Sequence, residues 1–108
     1  MTNDKILFKL HAEVCNSFAH PIRLETVSLL KDKELSFGEI AEEIGVGKST
    51  LARHLSLMVN NGMLIQRKEG VNVYYKIASK KITKACGLIR EVLIERIKSN
   101  LDVLNNLS

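Results

Sequence analysis

The chain contains no tryptophan, its aromatic content is 5%, and proline occurs once. Its core must therefore be aliphatic. No apolar run exceeds a few residues, which excludes a helix long enough to span a membrane. The N-terminus, "MTNDKILFKLHAEV", lacks the basic start and unbroken apolar stretch of a secretory signal. The expected location is therefore the cytoplasm. Two cysteines without an export signal point to free thiols rather than to a disulfide framework. No repeat, low-complexity tract or linker interrupts the chain.

What is present fits one folded domain over residues 1–108 with a single modest core: 45% of residues are apolar and 26% charged. The net charge of +4 is small, but it is unevenly placed. Residues 32–44 carry five acids and one lysine. Residues 45–81 carry seven basic residues (Lys48, Arg53, Arg67, Lys68, Lys76, Lys80, Lys81) against Glu69 alone. Such a window suggests contact with a polyanion; a merely solvated basic face is the alternative.

Apolar spacing predicts a first helix from about Asp4 to Ser17 and a second from Pro21 to near Asp32. "SFGEIAEEIG" predicts a short third helix, opened by a Ser36/Glu39 capping box and stopped by Gly45. A fourth runs from Lys48 to Asn61, with Leu51, Leu55, Met58 and Val59 on its inner side. In "MLIQRKEGVNVYYKI" the period falls from 3.6 to 2 around Gly70, as in a β-hairpin, and alternation puts Tyr75 inward. Packing in the hairpin is the bland role for both Tyr74 and Tyr75; stacking on a base is the functional one. A last helix extends from Ser79 toward Asn105. Its apolar residues cover more than one face, which calls for a second partner, most simply another copy of the chain.

"GVGKST" (residues 45–50) ends like a phosphate-binding loop, but that motif opens with a glycine where this chain has Glu42. The preceding segment is helical rather than an apolar strand. Nucleotide hydrolysis is therefore not expected, nor any other enzyme activity, and the residues assign no cofactor and no inducer. The competing reading is a helix-turn-helix. Its second helix presents Lys48, Ser49, Ala52, Arg53 and Ser56 outward, groups able to reach base edges and phosphates in a major groove.

Three segments in order, "FAHPIRLETVSLL", "SFGEIAEEIGVGKSTLARHLSLMVNNGML" and "RKEGVNVYYKI", resemble the winged-helix repressors of the ArsR/SmtB family over roughly residues 10–95. The resemblance implies a mostly helical α+β winged helix-turn-helix with four helices, a hairpin wing and a C-terminal helix. It also implies a homodimeric, sequence-specific regulator of transcription, usually a repressor, that binds double-stranded DNA. Dimerisation would use the first helix (about 4–18) and the last (about 79–105). Carried over by position, the DNA contacts are Lys48, Ser49, Thr50, Arg53 and His54 in the recognition helix. In the wing they are Arg67, Lys68 and Asn72, with Gly70 at the tip. Gly47 stands where the family usually has a capping serine. His54 is open between DNA contact and packing.

The family's metal sites are not matched. A Cys-x-Cys in the third helix corresponds to Ser36 and Gly38, and the last helix contains no histidine. Two residual candidates involve the thiols. His11 and Cys15 share one helical face, and Cys86 lies in the last helix, which the resemblance places near the first helix of the partner, so a soft-metal site or a thiol switch through Cys15 and Cys86 is a candidate. The alternative is that both cysteines are small packing residues. A winged-helix module that binds a protein instead of DNA is the remaining alternative function.

Overall fold

The computed structural model describes residues 2–107; Met1 and Ser108, the two ends of the expected 1–108 domain, lie outside the described residues. The order is α1 (Thr2–Asn16), α2 (Pro21–Leu29), β1 (Leu35–Ser36), α3 (Phe37–Ile44), α4 (Lys48–Asn60), β2 (Leu64–Glu69), β3 (Asn72–Ile77) and α5 (Lys80–Leu107). The helices and hairpin are those expected from the pattern, with shifted ends. The second helix stops at Leu29, three residues short of Asp32, with Leu30 as its C-cap and buried in the core.

Local chemistry explains the boundaries. α1 closes on short backbone bonds, Phe18 to Cys15 (3.1 Å) and Ala19 to Asn16 (3.0 Å), which tighten its last turn. His20 caps α2: its Nδ1 accepts from the Ile22 amide at 3.1 Å, and Pro21 takes the first helical position, where no amide is needed. The capping box forms as expected, Ser36 Oγ accepting from the Glu39 amide (3.1 Å) and Glu39 Oε1 from the Ser36 amide (2.9 Å). The C-terminus of α4 is a Schellman motif. Gly62 adopts φ 77°, its amide reaches Val59 at 3.0 Å, and the Met63 amide reaches back to Met58 at 2.8 Å. Met58 and Met63 both enter the core, which supplies the apolar contact that accompanies this motif.

One strand was not expected. Leu35 and Ser36 pair with Tyr75 and Tyr74, giving an antiparallel sheet in the order β1-β3-β2. Two residues are too few to show alternation, and Ser36 serves twice, as strand backbone and as helix cap.

The core is one cluster of Val27, Leu30, Ile40, Leu51, Leu55, Met58, Met63, Leu64 and Tyr75. It is aliphatic apart from Tyr75, which faces inward as alternation required. α1 reaches it through Val14 and Phe18, and α5 through Ile82 and Cys86. Beyond those residues both helices project. The radius of gyration is 17.1 Å, against about 13 Å for a compact domain of this length. Ile6, Leu7, Phe8 and Leu10 on α1 are exposed, as are Leu88, Ile89, Val92, Leu93, Ile97, Leu101 and Leu104 on α5.

Candidate nucleic-acid interface

α3 and α4 are joined by Gly45, Val46 and Gly47. Gly45 takes the left-handed conformation (φ 73°) that reverses the chain at low steric cost. The segment before "GKS" is thus the helix α3, and no strand–loop–helix for a nucleotide is formed there. Ile40 on α3 and Leu51, Leu55 and Met58 on α4 are fully buried, which pins one side of α4 to the domain and leaves the other outside.

Lys48, Ser49, Ala52, Arg53 and Ser56 are all exposed, and Thr50 is half-buried. Lys48 and Arg53 form no ion pair among the described residues. Gly47 makes no side-chain cap, so the first-turn amides of Lys48, Ser49 and Thr50 remain available, and the helix dipole favours an anion there. A shallow open depression continues down the helix, lined by Ala52, Arg53, Ser56, Leu57, Asn60 and Asn61. Asn60 and Asn61 extend this polar strip beyond the residues expected from the sequence.

His54 is turned the other way. Its Nδ1 lies 2.8 Å from Arg23 NH1, and its ring sits 4.2 Å from that of His20. Desolvation, followed by the neighbouring His20, Arg23 and Arg53, holds its pKa below the usual imidazole value. Of its two open roles, this placement favours packing. The imidazole is occupied inside the α2–α4 contact, whereas Arg53 beside it points out.

The wing also separates residues that the sequence grouped together. Register pairs Arg67 with Tyr74 and Lys68 with Val73, so Arg67 and Lys68 lie on opposite faces of the hairpin. Arg67 is engaged. It pairs with Glu34 at 2.7 Å and with Glu69, and its guanidinium carbon stands 4.5 Å from the Tyr74 ring centroid. These carboxylates hold its pKa above the ordinary guanidinium value, and Arg67 in turn lowers that of Glu34. Tyr74 therefore has a cation against its ring already. Lys68 is exposed without an ion pair among the described residues, and Asn72 is exposed opposite Glu69 at the turn. Glu34 carried no sequence signal for this role, since it lies 33 residues away from Arg67.

Within one chain Cys15 and Cys86 are free thiols. Among the described residues no three or more His, Cys, Asp or Glu side chains cluster in a way that could hold a metal. His11, Cys15 and Cys86 form no such cluster within one chain; the candidate set relied on Cys86 meeting the first helix of a partner chain. Cys15 is exposed on α1. Cys86 packs against the core, and burial pushes its thiol pKa up, away from the reactive thiolate.

Comparison with known proteins agrees with this geometry. The family model described as "Bacterial regulatory protein, arsR family" matches residues 20–66, from the cap of α2 into β2. An uncharacterized HTH-type transcriptional regulator of Mycobacterium tuberculosis, Rv0081, is 30% identical over 102 residues, 94% of this chain and 90% of that protein. Its crystal structure superposes with a TM-score of 0.79 at 29% identity, covering 88% of this chain and 96% of that one. The biofilm growth-associated repressor of Xylella fastidiosa is 30% identical over 87 residues, 81% of this chain and 76% of the repressor. A homodimeric winged helix-turn-helix DNA-binding domain from Mycobacterium bovis gives a TM-score of 0.82 at 25% identity, with 92% of each chain covered. Sequence, fold and relatives converge: the chain belongs to the arsR family of bacterial regulatory proteins and is a winged helix-turn-helix transcriptional regulator.

Proposed function

We propose that the chain works as a homodimeric repressor that reads an inverted-repeat operator in double-stranded DNA, without the metal sites usual in its family. The observation that carries this reading is the outer face of α4. Lys48, Ser49 and Arg53 stand exposed, Lys48 and Arg53 without an ion pair among the described residues, beside uncapped helix amides, while the opposite face is locked into the core. Lys48, Ser49, Thr50 and Arg53 enter the major groove. Lys68 and Asn72 hold the backbone beside it, and Arg67 joins them only by exchanging Glu34 and Glu69 for phosphate. The exposed apolar residues of α1 and α5 supply the dimer face. The M. bovis relative, described as homodimeric, supports that assignment. Two recognition helices about 34 Å apart would read half-sites one helical turn apart. The action is in the cytoplasm and involves no catalysis.

Selection of bound duplexes from a random pool, followed by titration at several salt concentrations, tests the reading. The expected outcome is enrichment of an inverted repeat with half-sites about 10 bp apart and an affinity that falls steeply with salt. Absence of enrichment, with no salt-dependent binding to any duplex, would instead favour a protein-binding winged helix.

A further inference from the structure

Arg23 is a buried cation, only 8% exposed, that makes no ion pair among the described residues. Three other contacts replace one. Nε donates to the Ser17 carbonyl (2.9 Å) and NH2 to the Asn16 carbonyl (3.2 Å), both at the C-terminal end of α1, where the helix dipole is negative. NH1 meets His54 Nδ1 at 2.8 Å. A second link runs alongside: Asn61, just past α4, donates to Ser17 Oγ (2.7 Å), which donates to the Glu13 carbonyl (3.1 Å). The end of α1 is thus fastened to α4 at two points, His54 near its middle and Asn61 at its C-cap. α1 belongs to the exposed apolar layer, and α4 carries the outward basic face.

We propose that Arg23 is a positioning residue for DNA binding: through His54 it makes the placement of the recognition helix follow the placement of α1. The inference rests on the DNA-binding reading above.

The geometry gives this link a chemical signature. An arginine has no lone pair to offer, so the proton in the contact comes from Arg23 and His54 Nδ1 accepts. His54 is therefore neutral, with its hydrogen on Nε2. A second proton must go onto Nδ1, the atom Arg23 uses. It would replace a hydrogen bond by two cations at contact distance. The titratable and charged groups that bear on His54 are His20 and Arg23 from the α2 side and Arg53 on its own helix, and no carboxylate is among them to accommodate the new charge. Acid thus breaks the His54 point of attachment between α4 and α1 and leaves only the Asn61–Ser17 bond. This runs against the general trend, since protonation makes a protein more positive and strengthens its attraction to DNA.

The test uses the full chain and a duplex selected from the random pool, with an unselected duplex of equal length as the control. Between pH 7.5 and 5.0 the wild type should lose more than about threefold in affinity for the selected duplex, mostly toward the acid end because His54 titrates below the usual imidazole value, and not for the control. His54→Gln keeps a neutral acceptor that does not titrate, so its affinity for the selected duplex should stay within about threefold over the same range. Arg23→Lys, which cannot span three acceptors, should bind weakly at both pH values. Should that variant fail to fold, the wild type and His54→Gln still decide the matter. A wild type whose selective affinity holds or rises at pH 5.0, or a His54→Gln variant that loses as much as the wild type, overturns the inference. Failure of the wild type to bind any duplex at pH 7.5 removes the DNA-binding reading itself, and the inference with it.

Discussion

Arg53 and Lys68 are both exposed cations, yet their positions assign them different work. Arg53 projects from the second turn of a helix whose inner face is anchored, so it is placed to meet base edges. Arg53→Ala should cost about 1–3 kcal/mol on a selected operator and little on random DNA. Equal losses on both would leave it only a phosphate contact. Lys68 sits on the hairpin without an ion pair among the described residues, so Lys68→Ala should weaken all sequences alike and reduce the log–log salt slope by about one. An unchanged slope would take the wing tip out of the contact. At this scale the sequence was legible where exposure follows from helical phase, as for Lys48, Ser49 and Arg53. It was not legible where a side chain's partner comes from a distant segment. His54 is adjacent to Arg53, but about 100° of helical rotation turns it toward Arg23. Arg67 is adjacent to Lys68, but the period of two sends it to the other face, where Glu34 waits.

At the scale of elements, the turn and caps of the helix-turn-helix were written locally. Ser36 with Glu39, and Gly45, each perform the role that their residue type and spacing indicated. The capping box carries a measurable share of stability. Ser36→Ala removes the acceptor for the Glu39 amide and should destabilise the domain by about 0.5–2 kcal/mol in denaturant unfolding. A change near zero would mean that the end of α3 is satisfied by solvent and that the box is incidental. Because Ile40 of α3 shares one core cluster with Leu51, Leu55 and Met58 of α4, the loss should appear in stability more than in DNA affinity measured well below the transition. The short β1 escaped detection for a physical reason. A two-residue strand has no periodicity of its own, and it exists because β3 offers it a partner.

At the scale of the whole molecule, the long apolar stripe of α5 is left outside the core, and the chain is extended for its length. Leu93 lies on that stripe and takes no part in the core cluster. Leu93→Glu should therefore leave the folded domain intact by circular dichroism while shifting sedimentation from dimer to monomer. Operator affinity should fall by far more than binding to random duplex, since one half-site alone would be read. A Leu93→Glu protein that remains a dimer would move the interface off this face of α5.

The sequence by itself determined the helices, the hairpin, the helix-turn-helix and the outward residues of α4. Each of these follows from short-range chemistry: periodicity, caps, glycine conformations and the sign of nearby charge. Even the misleading "GVGKST" is settled locally, by Glu42 and by the helical period before it. Only the tertiary structure decided which cations are free and which are engaged. Arg23 and His54, and Arg67 through Glu34, owe their roles to partners between 6 and 33 residues away. A hydrogen bond or an ion pair over such a separation leaves no periodic trace in the chain. It comes into being when the aliphatic core fixes the helices against one another.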